Sequence, residues 1–284
     1  VSMRLSDPPG SPIETTMPNL SRMLENARRI SWNNLGRRIT FFLPGMFIQN
    51  GLSGKYPAVS ITGSRCDLMC DHCQGKLLES MIPAADPAAL FETCLGLARK
   101  GHCGVLISGG CNRDGCLPWE PFLPAIRAVK EKTRLFISVH AGFIHEKDAA
   151  GLKHAGVDQA LVDVIGDDDT IHEVYHLNKR VEDYEETLWM LKEMGHRLAP
   201  HIIIGHHFGE IRGEWRALEI VTRVAVETIV LVILKNLQPD GENHLRVPKP
   251  EEISKISAIA RILNPDIPIR MGCIRPAHPW KAAM

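Results

Sequence analysis

Three cysteines, Cys66, Cys70 and Cys73, lie within eight residues in the stretch SRCDLMCDHCQGK. Three thiolates this close can surround one soft metal centre, and sulfur ligands select zinc, copper(I) or an iron–sulfur cluster. Closed zinc sites normally take four ligands, usually as two pairs distant in sequence. The triplet therefore favours a [4Fe–4S] cluster with one iron left open, and a zinc clip is the alternative interpretation.

A second set of cysteines follows further along the chain. Cys111 and Cys116 lie together in SGGCNRDGC, and Cys273 lies in RMGCIRP. Three more thiols predict an auxiliary cluster, whereas the competing interpretation is one or two free loop cysteines. The remaining two, Cys94 in a helical pattern and Cys103 at the start of a strand, are predicted to be small buried residues and not ligands.

The elements that position these residues follow a repeating pattern. From residue 58 onward, short β-branched runs alternate with helical patterns, which predicts repeated βα units and a parallel sheet. The predicted strands are 58–62, 104–107, 135–139, 159–164, 201–204, 228–234 and 268–271. Helices are expected to begin near Asp86, Glu120, His145, Val181, Gly213 and Pro250.

Ligands of such sheets bind at the carboxyl ends of the strands. Both cysteine sets follow predicted strands, as do three further chemically interesting positions, His140, Asp163 and Gly205. We therefore expect them on one rim. Three nearby histidines, His201, His206 and His207, could in principle bind one metal ion. His206 and His207 are adjacent, however, and would face opposite ways in an extended segment. This predicts that one of these two rings contacts the cofactor and the other is solvated.

The chain divides into two parts. Residues 1–40 are predicted to form a Pro- and Ser-rich tail followed by an amphipathic helix, because apolar residues recur every three or four positions after Pro18. Residues 41–284 are predicted to form the barrel and a C-terminal segment for the auxiliary cluster.

Composition excludes several kinds of partner. The 33 basic and 33 acidic residues balance, so no basic field exists to attract nucleic acid or an anionic membrane surface. The longest apolar runs fall far short of the roughly 20 residues of a membrane helix. The N-terminus lacks the pattern of a secretory signal. A cytoplasmic location is expected, where thiols stay reduced and free to bind metal.

The sequence resembles the radical S-adenosylmethionine (SAM) superfamily in two features. The first is the motif Cys-x3-Cys-x2-Cys after the first strand of a partial αβ barrel, and the second is His72 directly before the third cysteine. The resemblance implies a partial (βα)6-type TIM barrel, SAM bound to the open iron, and a 5′-deoxyadenosyl radical released by reductive cleavage. It also implies cofactor contacts from a glycine pair and from the later strand ends, namely His72, Ser108, Gly109, Gly110, His140, Asp163 and Gly205. Asp163 would accept hydrogen bonds from the ribose, and residues 202–205 would line the adenine. Cys111 stands where the family usually has an acidic residue.

Longer stretches, PAVSITGSRCDLMCDHC, VDVIGDDDTIHEVYHL and PHIIIGHHFGEIRGE among them, resemble biotin-synthase-like proteins that serve as subunits of the two-component LipS-type lipoyl synthase. This resemblance implies sulfur insertion into an octanoyl chain on a lipoyl-domain carrier protein. It further implies a paralogous radical SAM subunit and a ferredoxin or flavodoxin as reductant. The alternatives are a biotin-synthase-like enzyme, a radical methyltransferase or mutase without sulfur insertion, and a structural or sensory metal-binding protein.

Overall fold

The computed structural model describes residues 19–45, 48–235 and 246–272. The predicted N-terminal tail and Cys273 lie outside these residues. No helix in the described ranges is both long enough and apolar enough to cross a membrane.

A curved parallel sheet forms the centre of the protein. Five strands run side by side in the order β4 (Ile82–Pro83), β3 (Ala58–Ser60), β5 (Gly104–Ser108), β6 (Phe136–His140) and β7 (Gln159–Leu161). Three more run in the order β10 (Ile269–Met271), β9 (Ile229–Ile233) and β8 (His201–Ile204). Two parallel bridges, Ala160 to Leu198 and Asp163 to His201, join β7 to the start of β8. The described strands thus follow one another around an incomplete barrel, and the α/β fold with a parallel sheet predicted from the sequence is confirmed.

Each of the seven predicted strands is found close to its predicted position. The strands are β1 Ile48–Gln49, β2 Leu52–Ser53, β3 Ala58–Ser60, β4 Ile82–Pro83, β5 Gly104–Ser108, β6 Phe136–His140, β7 Gln159–Leu161, β8 His201–Ile204, β9 Ile229–Ile233 and β10 Ile269–Met271. The helices are α1 Leu20–Leu35, α2 Lys76–Glu79, α3 Pro87–Arg99, α4 Leu123–Lys132, α5 Glu146–His154, α6 Asp168–Glu173, α7 Val181–Glu193, α8 Glu214–Val224 and α9 Pro250–Leu263. The hairpin of β1 and β2, the short strand β4 and the helices α2 and α6 add to the predicted set.

Local chemistry explains where the helices begin and end. The Asp86 side chain accepts a hydrogen bond of 2.8 Å from the Ala89 N–H at the start of α3, which satisfies a helix donor that has no partner within the helix. Gly101, Gly156 and Gly195 follow helix ends with φ of +76°, +87° and +77°. Glycine adopts this left-handed conformation without a steric penalty.

The N-terminal helix α1 packs against α9, the last helix of the barrel. Met23 and Ala27 of α1 are buried and belong to the main hydrophobic core. At the end of α1, the Asn34 Nδ2 donates a 2.7 Å hydrogen bond to Asp266 Oδ1. The amphipathic pattern predicted this helix, and its apolar face covers the barrel.

Two cysteines outside the predicted metal sites were expected to be buried. Cys94 in α3 is fully buried, as predicted. Cys103 is exposed, so its predicted burial is wrong. It lies just before β5, where its thiol donates to the Lys55 carbonyl at 3.2 Å.

Candidate active site at the carboxyl ends of the strands

A cavity of about 230 Å³, open to solvent, lies at the carboxyl ends of the strands. Ten of the predicted site residues line it: Cys66, Cys70, His72, Cys73, Ser108, Gly109, Gly110, Cys111, His140 and Asp163. They come from loops after four successive barrel strands, β3, β5, β6 and β7. The rim rule for parallel sheets thus brings together residues separated by nearly a hundred positions.

The loop that carries Cys66, Cys70 and Cys73 is a series of tight turns. The N–H groups of Cys73 and Gln74 both donate to the Cys70 carbonyl, at 2.9 and 2.8 Å. A further hydrogen bond of 3.0 Å from the Asp71 N–H to the Val174 carbonyl fixes the loop to the segment after α6. The backbone therefore holds the loop in a defined shape over the cavity.

The thiols of this loop lie in surroundings that suit a metal cofactor. Burial raises the pKa of Cys70 and Cys73, and the neighbouring thiols raise it further. Clustered, buried thiolates need cations to offset their charge, and metal coordination provides them.

The spacing of the three sulfurs discriminates between the two metal interpretations. Sulfur ligands of one tetrahedral zinc ion lie about 3.8 Å apart, since Zn–S bonds are about 2.3 Å long. In the described part of the chain, the three sulfur atoms of the triplet do not all lie within 4.8 Å of one another. The cradle is wider than a single zinc ion requires, which suits a polynuclear cluster with one cysteine per iron.

The glycine pair after β5 allows the two loops to meet. An ideal Cβ on Gly110 would lie 2.0 Å from the Arg65 carbonyl oxygen and 2.5 Å from Cys66 Cβ. The Gly110 N–H donates a 2.7 Å hydrogen bond to Thr62 Oγ1. Only a residue without a side chain fits here, because the backbone lies directly against the first cysteine.

The second cysteine set is only partly assembled. Cys111 lines the cavity, its carbonyl accepts a 2.9 Å hydrogen bond from the Asp67 N–H, and burial raises the pKa of its thiol to about 12. Cys116 is not among the cavity-lining residues. Its N–H donates to Asn112 Oδ1 at 2.9 Å in a tight turn, and its sulfur lies 3.8 Å from the Asp114 carbonyl. Gly115, directly before Cys116, does line the cavity, and the Cys116 thiol adds to the rise in the pKa of Cys111. Cys273, the third predicted ligand, lies outside the described residues.

An aromatic cluster beside the first cysteine loop escaped the sequence analysis. The ring of His72 lies 5.2 Å from that of Tyr175 and 4.7 Å from that of His206, measured between centroids. The Tyr175 hydroxyl lies 2.7 Å from His206 Nε2, and both residues are buried. Tyr175 gave no signal in the sequence, because a tyrosine in an apolar stretch is typical of an ordinary core residue.

His206 and His207 both lie in a turn after β8 and are both buried, so the predicted solvated ring is wrong. His207 Nδ1 lies 3.1 Å from Thr170 Oγ1, and its Nε2 lies 2.7 Å from Arg212 Nη1. The extended conformation assumed for this segment does not occur, because the chain turns at Gly205.

Gly205 was expected to line the adenine, but it is not among the residues that line the cavity. Its N–H donates a 2.6 Å hydrogen bond to Glu214 Oε1, and burial raises the pKa of Glu214 to about 6. A Cβ on Gly205 would lie 2.1 Å from Pro248 Cγ. Close packing and a φ of +80° account for the glycine.

His140 and Asp163 form a polar pair in the cavity wall. His140 Nε2 lies 3.3 Å from Asp163 Oδ1. Burial alone would raise the pKa of Asp163, but the nearby histidines, His140 foremost, lower it well below its usual range. Burial alone would lower the pKa of His140, and the carboxylate of Asp163 raises it. The two groups stabilise each other's charged forms.

Comparison with known structures supports the architecture. Methylornithine synthase (PylB) aligns with a TM-score of 0.58 and 12% identity over 93% of this chain and 81% of its own. HydG, a maturase of the [FeFe]-hydrogenase, aligns with a TM-score of 0.68 and 14% identity over 92% of this chain and 59% of its own. At such low identity these likenesses show a shared fold.

Sequence comparison gives a more specific result. A biotin synthase from Rhodopirellula baltica is 25% identical over 221 residues, which cover 75% of this chain. The match spans 60% of the length of that curated relative. The sequence profile of the Radical SAM superfamily matches residues 60–220, more than half of the chain. These residues contain the cysteine triplet and most of the cavity wall, and we conclude that the chain belongs to the radical SAM superfamily.

Proposed function

We propose that this protein is a radical SAM sulfurtransferase that inserts sulfur into an unactivated C–H bond. Membership of the superfamily implies a [4Fe–4S] cluster and SAM as cofactors, and together they supply a 5′-deoxyadenosyl radical that abstracts a hydrogen atom. The observation that carries the sulfur-transfer part is the position of Cys111, which lies in the same cavity as the cysteine triplet. A sulfur donor must lie within reach of the carbon radical, and one shared cavity provides that reach.

The residues of the chain would divide the work as follows. Cys66, Cys70 and Cys73 hold the cluster through three thiolates, leaving one iron for SAM. The bare backbone of Gly109 and Gly110 lets the methionyl part of SAM approach the rim closely. His72 lines the cavity beside the triplet, with its ring 5.2 Å from that of Tyr175.

The auxiliary cluster is the second part of the proposal. Cys111 would bind it together with Cys116 and Cys273, the last of which lies outside the described residues. Cys116 lies beside the cavity, since its neighbour Gly115 lines it.

The proposed substrate is an octanoyl chain on a lipoyl-domain carrier protein, and the reaction would be that of a lipoyl synthase subunit. The distant similarity to a biotin synthase supports sulfur insertion in general, and the longer sequence stretches favour the LipS type. The expected partners are a paralogous radical SAM subunit, the carrier protein, and a ferredoxin or flavodoxin as reductant.

Iron and sulfide content with low-temperature EPR on anaerobically reconstituted protein tests the proposal. About eight irons per wild-type chain, falling to about four in the Cys66/Cys70/Cys73 triple alanine variant, would support two [4Fe–4S] clusters. About four irons falling to none would remove the sulfur donor and favour a methyltransferase or mutase.

Two single variants then test the division of labour. Cys70→Ala should abolish release of 5′-deoxyadenosine, whereas Cys273→Ala should keep that release and stop sulfur transfer to an octanoylated carrier. Equal loss of both activities in both variants would contradict separate roles. A chain that releases no 5′-deoxyadenosine under any reductant would instead be a structural or sensory metal protein.

A further inference from the structure

Three side chains from neighbouring strands converge in and beside the wall of the cavity. His140 ends β6, Asp163 follows β7, and His201 begins β8. In the part of the chain that the structure describes, one potential ligand atom from each of these residues lies within 4.8 Å of the other two. The parallel bridge between Asp163 and His201 fixes two of them side by side, and the rings of His140 and His201 are 5.5 Å apart between centroids.

The hydrogen bonding of this group is incomplete. His201 Nδ1 is buried and has no hydrogen-bond partner among the described residues. Buried ring nitrogens are normally satisfied, so an exception calls for an absent partner. Burial lowers the pKa of His201 to about 4, so this imidazole is neutral at pH 7 and carries a free lone pair.

The charges also favour a bound cation. The Asp163 carboxylate, which the neighbouring histidines hold in its ionised form, lies 3.3 Å from His140 Nε2. A divalent ion bound by these atoms would offset the carboxylate charge, since imidazole binds metals in its neutral form. Two imidazoles and one carboxylate are a ligand set that suits zinc or ferrous iron.

We propose that His140, Asp163 and His201 bind one divalent first-row transition metal ion, separate from the cysteine cluster. His140 and Asp163 both line the cavity, so the ligand positions that the protein leaves open face the space where substrate would bind. Such an ion acts as a Lewis acid towards a substrate oxygen or nitrogen. This assignment differs from the ribose contact that the family resemblance implies for Asp163, and it does not depend on the proposed sulfur transfer.

Metal binding in the full-length chain tests the proposal without any activity assay. The Cys66/Cys70/Cys73 triple alanine variant, which lacks the triplet, is titrated with Zn²⁺ against a chelator and with Co²⁺ by absorption. We expect one equivalent of each ion, and a cobalt spectrum without thiolate charge-transfer bands. The same Co²⁺ titration of cluster-loaded wild-type protein should give the same additional equivalent.

Substitution of the ligands provides the decisive comparison. In the same background, Asp163→Asn and His201→Ala should each weaken Zn²⁺ binding by more than about 100-fold, beyond the usual effect of losing an outer-shell partner. His154→Ala, which removes an exposed histidine at the end of α5, should leave the affinity unchanged. Circular dichroism confirms folding, and Asp163→Asn keeps the shape of the side chain if His201→Ala does not fold.

Three results would overturn the proposal: no bound equivalent, unchanged affinity in the ligand variants, or thiolate bands in the cobalt spectrum. The last would assign the ion to Cys111 or another free thiol. Because the triplet is absent from the test protein, none of these results bears on SAM cleavage.

Discussion

The contact between Gly110 and the first cysteine loop gives a sharp test of how the site is built. In Gly110→Ala, the new methyl group would lie 2.0 Å from the Arg65 carbonyl oxygen and 2.5 Å from Cys66 Cβ, whereas ordinary contacts begin at 3.4 Å. The neighbouring atoms are backbone and Cβ atoms, which cannot rotate away. The loop that carries Cys66 must therefore move by about 1.4 Å.

The size of the effect follows from this displacement. Forcing a methyl group into a packed site costs roughly 1 to 3 kcal/mol, so the melting temperature should fall by a few degrees. A misplacement of about 1 Å can lower the rate about 100-fold. We therefore expect less iron per reconstituted chain, and a fall of that order in the release of 5′-deoxyadenosine.

Gly96→Ala is the matched control. Gly96 lies within α3, and a Cβ there would contact nothing within 4 Å among the described residues. Alanine favours a helix over glycine by roughly 0.5 to 1 kcal/mol, so this variant should be at least as stable as wild type and bind iron normally. A Gly110→Ala protein with wild-type melting temperature, iron content and SAM cleavage would refute the proposed contact.

Three further predictions concern the surroundings of the site. Burial lowers the pKa of His72 from 6.5 to about 4, so between these pH values the unfolded chain binds more protons than the folded protein, and stability should fall as the pH drops through that range. In protein without the cluster, His72→Gln should reduce this fall in the urea midpoint. An unchanged dependence of the midpoint on pH would contradict a buried neutral ring. Asp158 Oδ2 accepts hydrogen bonds from Lys130 Nζ at 2.8 Å and from the Ile137 N–H at 2.6 Å, which link α4 to β6. Asp158→Ala should therefore lower the free energy of unfolding by roughly 1.5 to 3 kcal/mol. A loss of less than about 0.5 kcal/mol in urea denaturation would argue against this link. Tyr175→Phe leaves His206 without its hydroxyl partner and should lower the free energy of unfolding by about 1 to 3 kcal/mol. Thermal melting beside wild type would show this loss as a lower Tm. An equal Tm would show that water replaces the hydroxyl.

The proposed auxiliary site beside the cysteine triplet can be tested through its two described cysteines, Cys111 and Cys116. Cys111 lies in the cavity wall next to Gly142, where a Cβ added to that glycine would be 3.6 Å from the Cys111 sulfur. Gly115, next to Cys116, also lines the cavity, and the backbone of Cys116 pairs with that of Gly142. Iron analysis of Cys116→Ser beside Cys111→Ser would therefore show whether the auxiliary proposal needs one cysteine of this loop or both.

The sequence alone predicted the strand and helix order, because apolar periodicity and helix caps are local properties of the chain. It also predicted that the cysteine triplet and the glycine pair share one rim, because all strands of a parallel sheet end at the same edge. The curvature that brings Gly110 against Cys66 is compatible with those patterns but is not contained in them.

The tertiary structure decided which rim residues meet. Cys116 lies five positions from Cys111, and a tight turn at Asn112 places its backbone beside Gly142 of the cavity wall. His201 was considered with His206 and His207, whereas the strand pairing of β7 with β8 sets it beside Asp163. Side chains from separate strands approach each other through the stagger and twist of the sheet, and no pattern of residue types along one segment records that geometry.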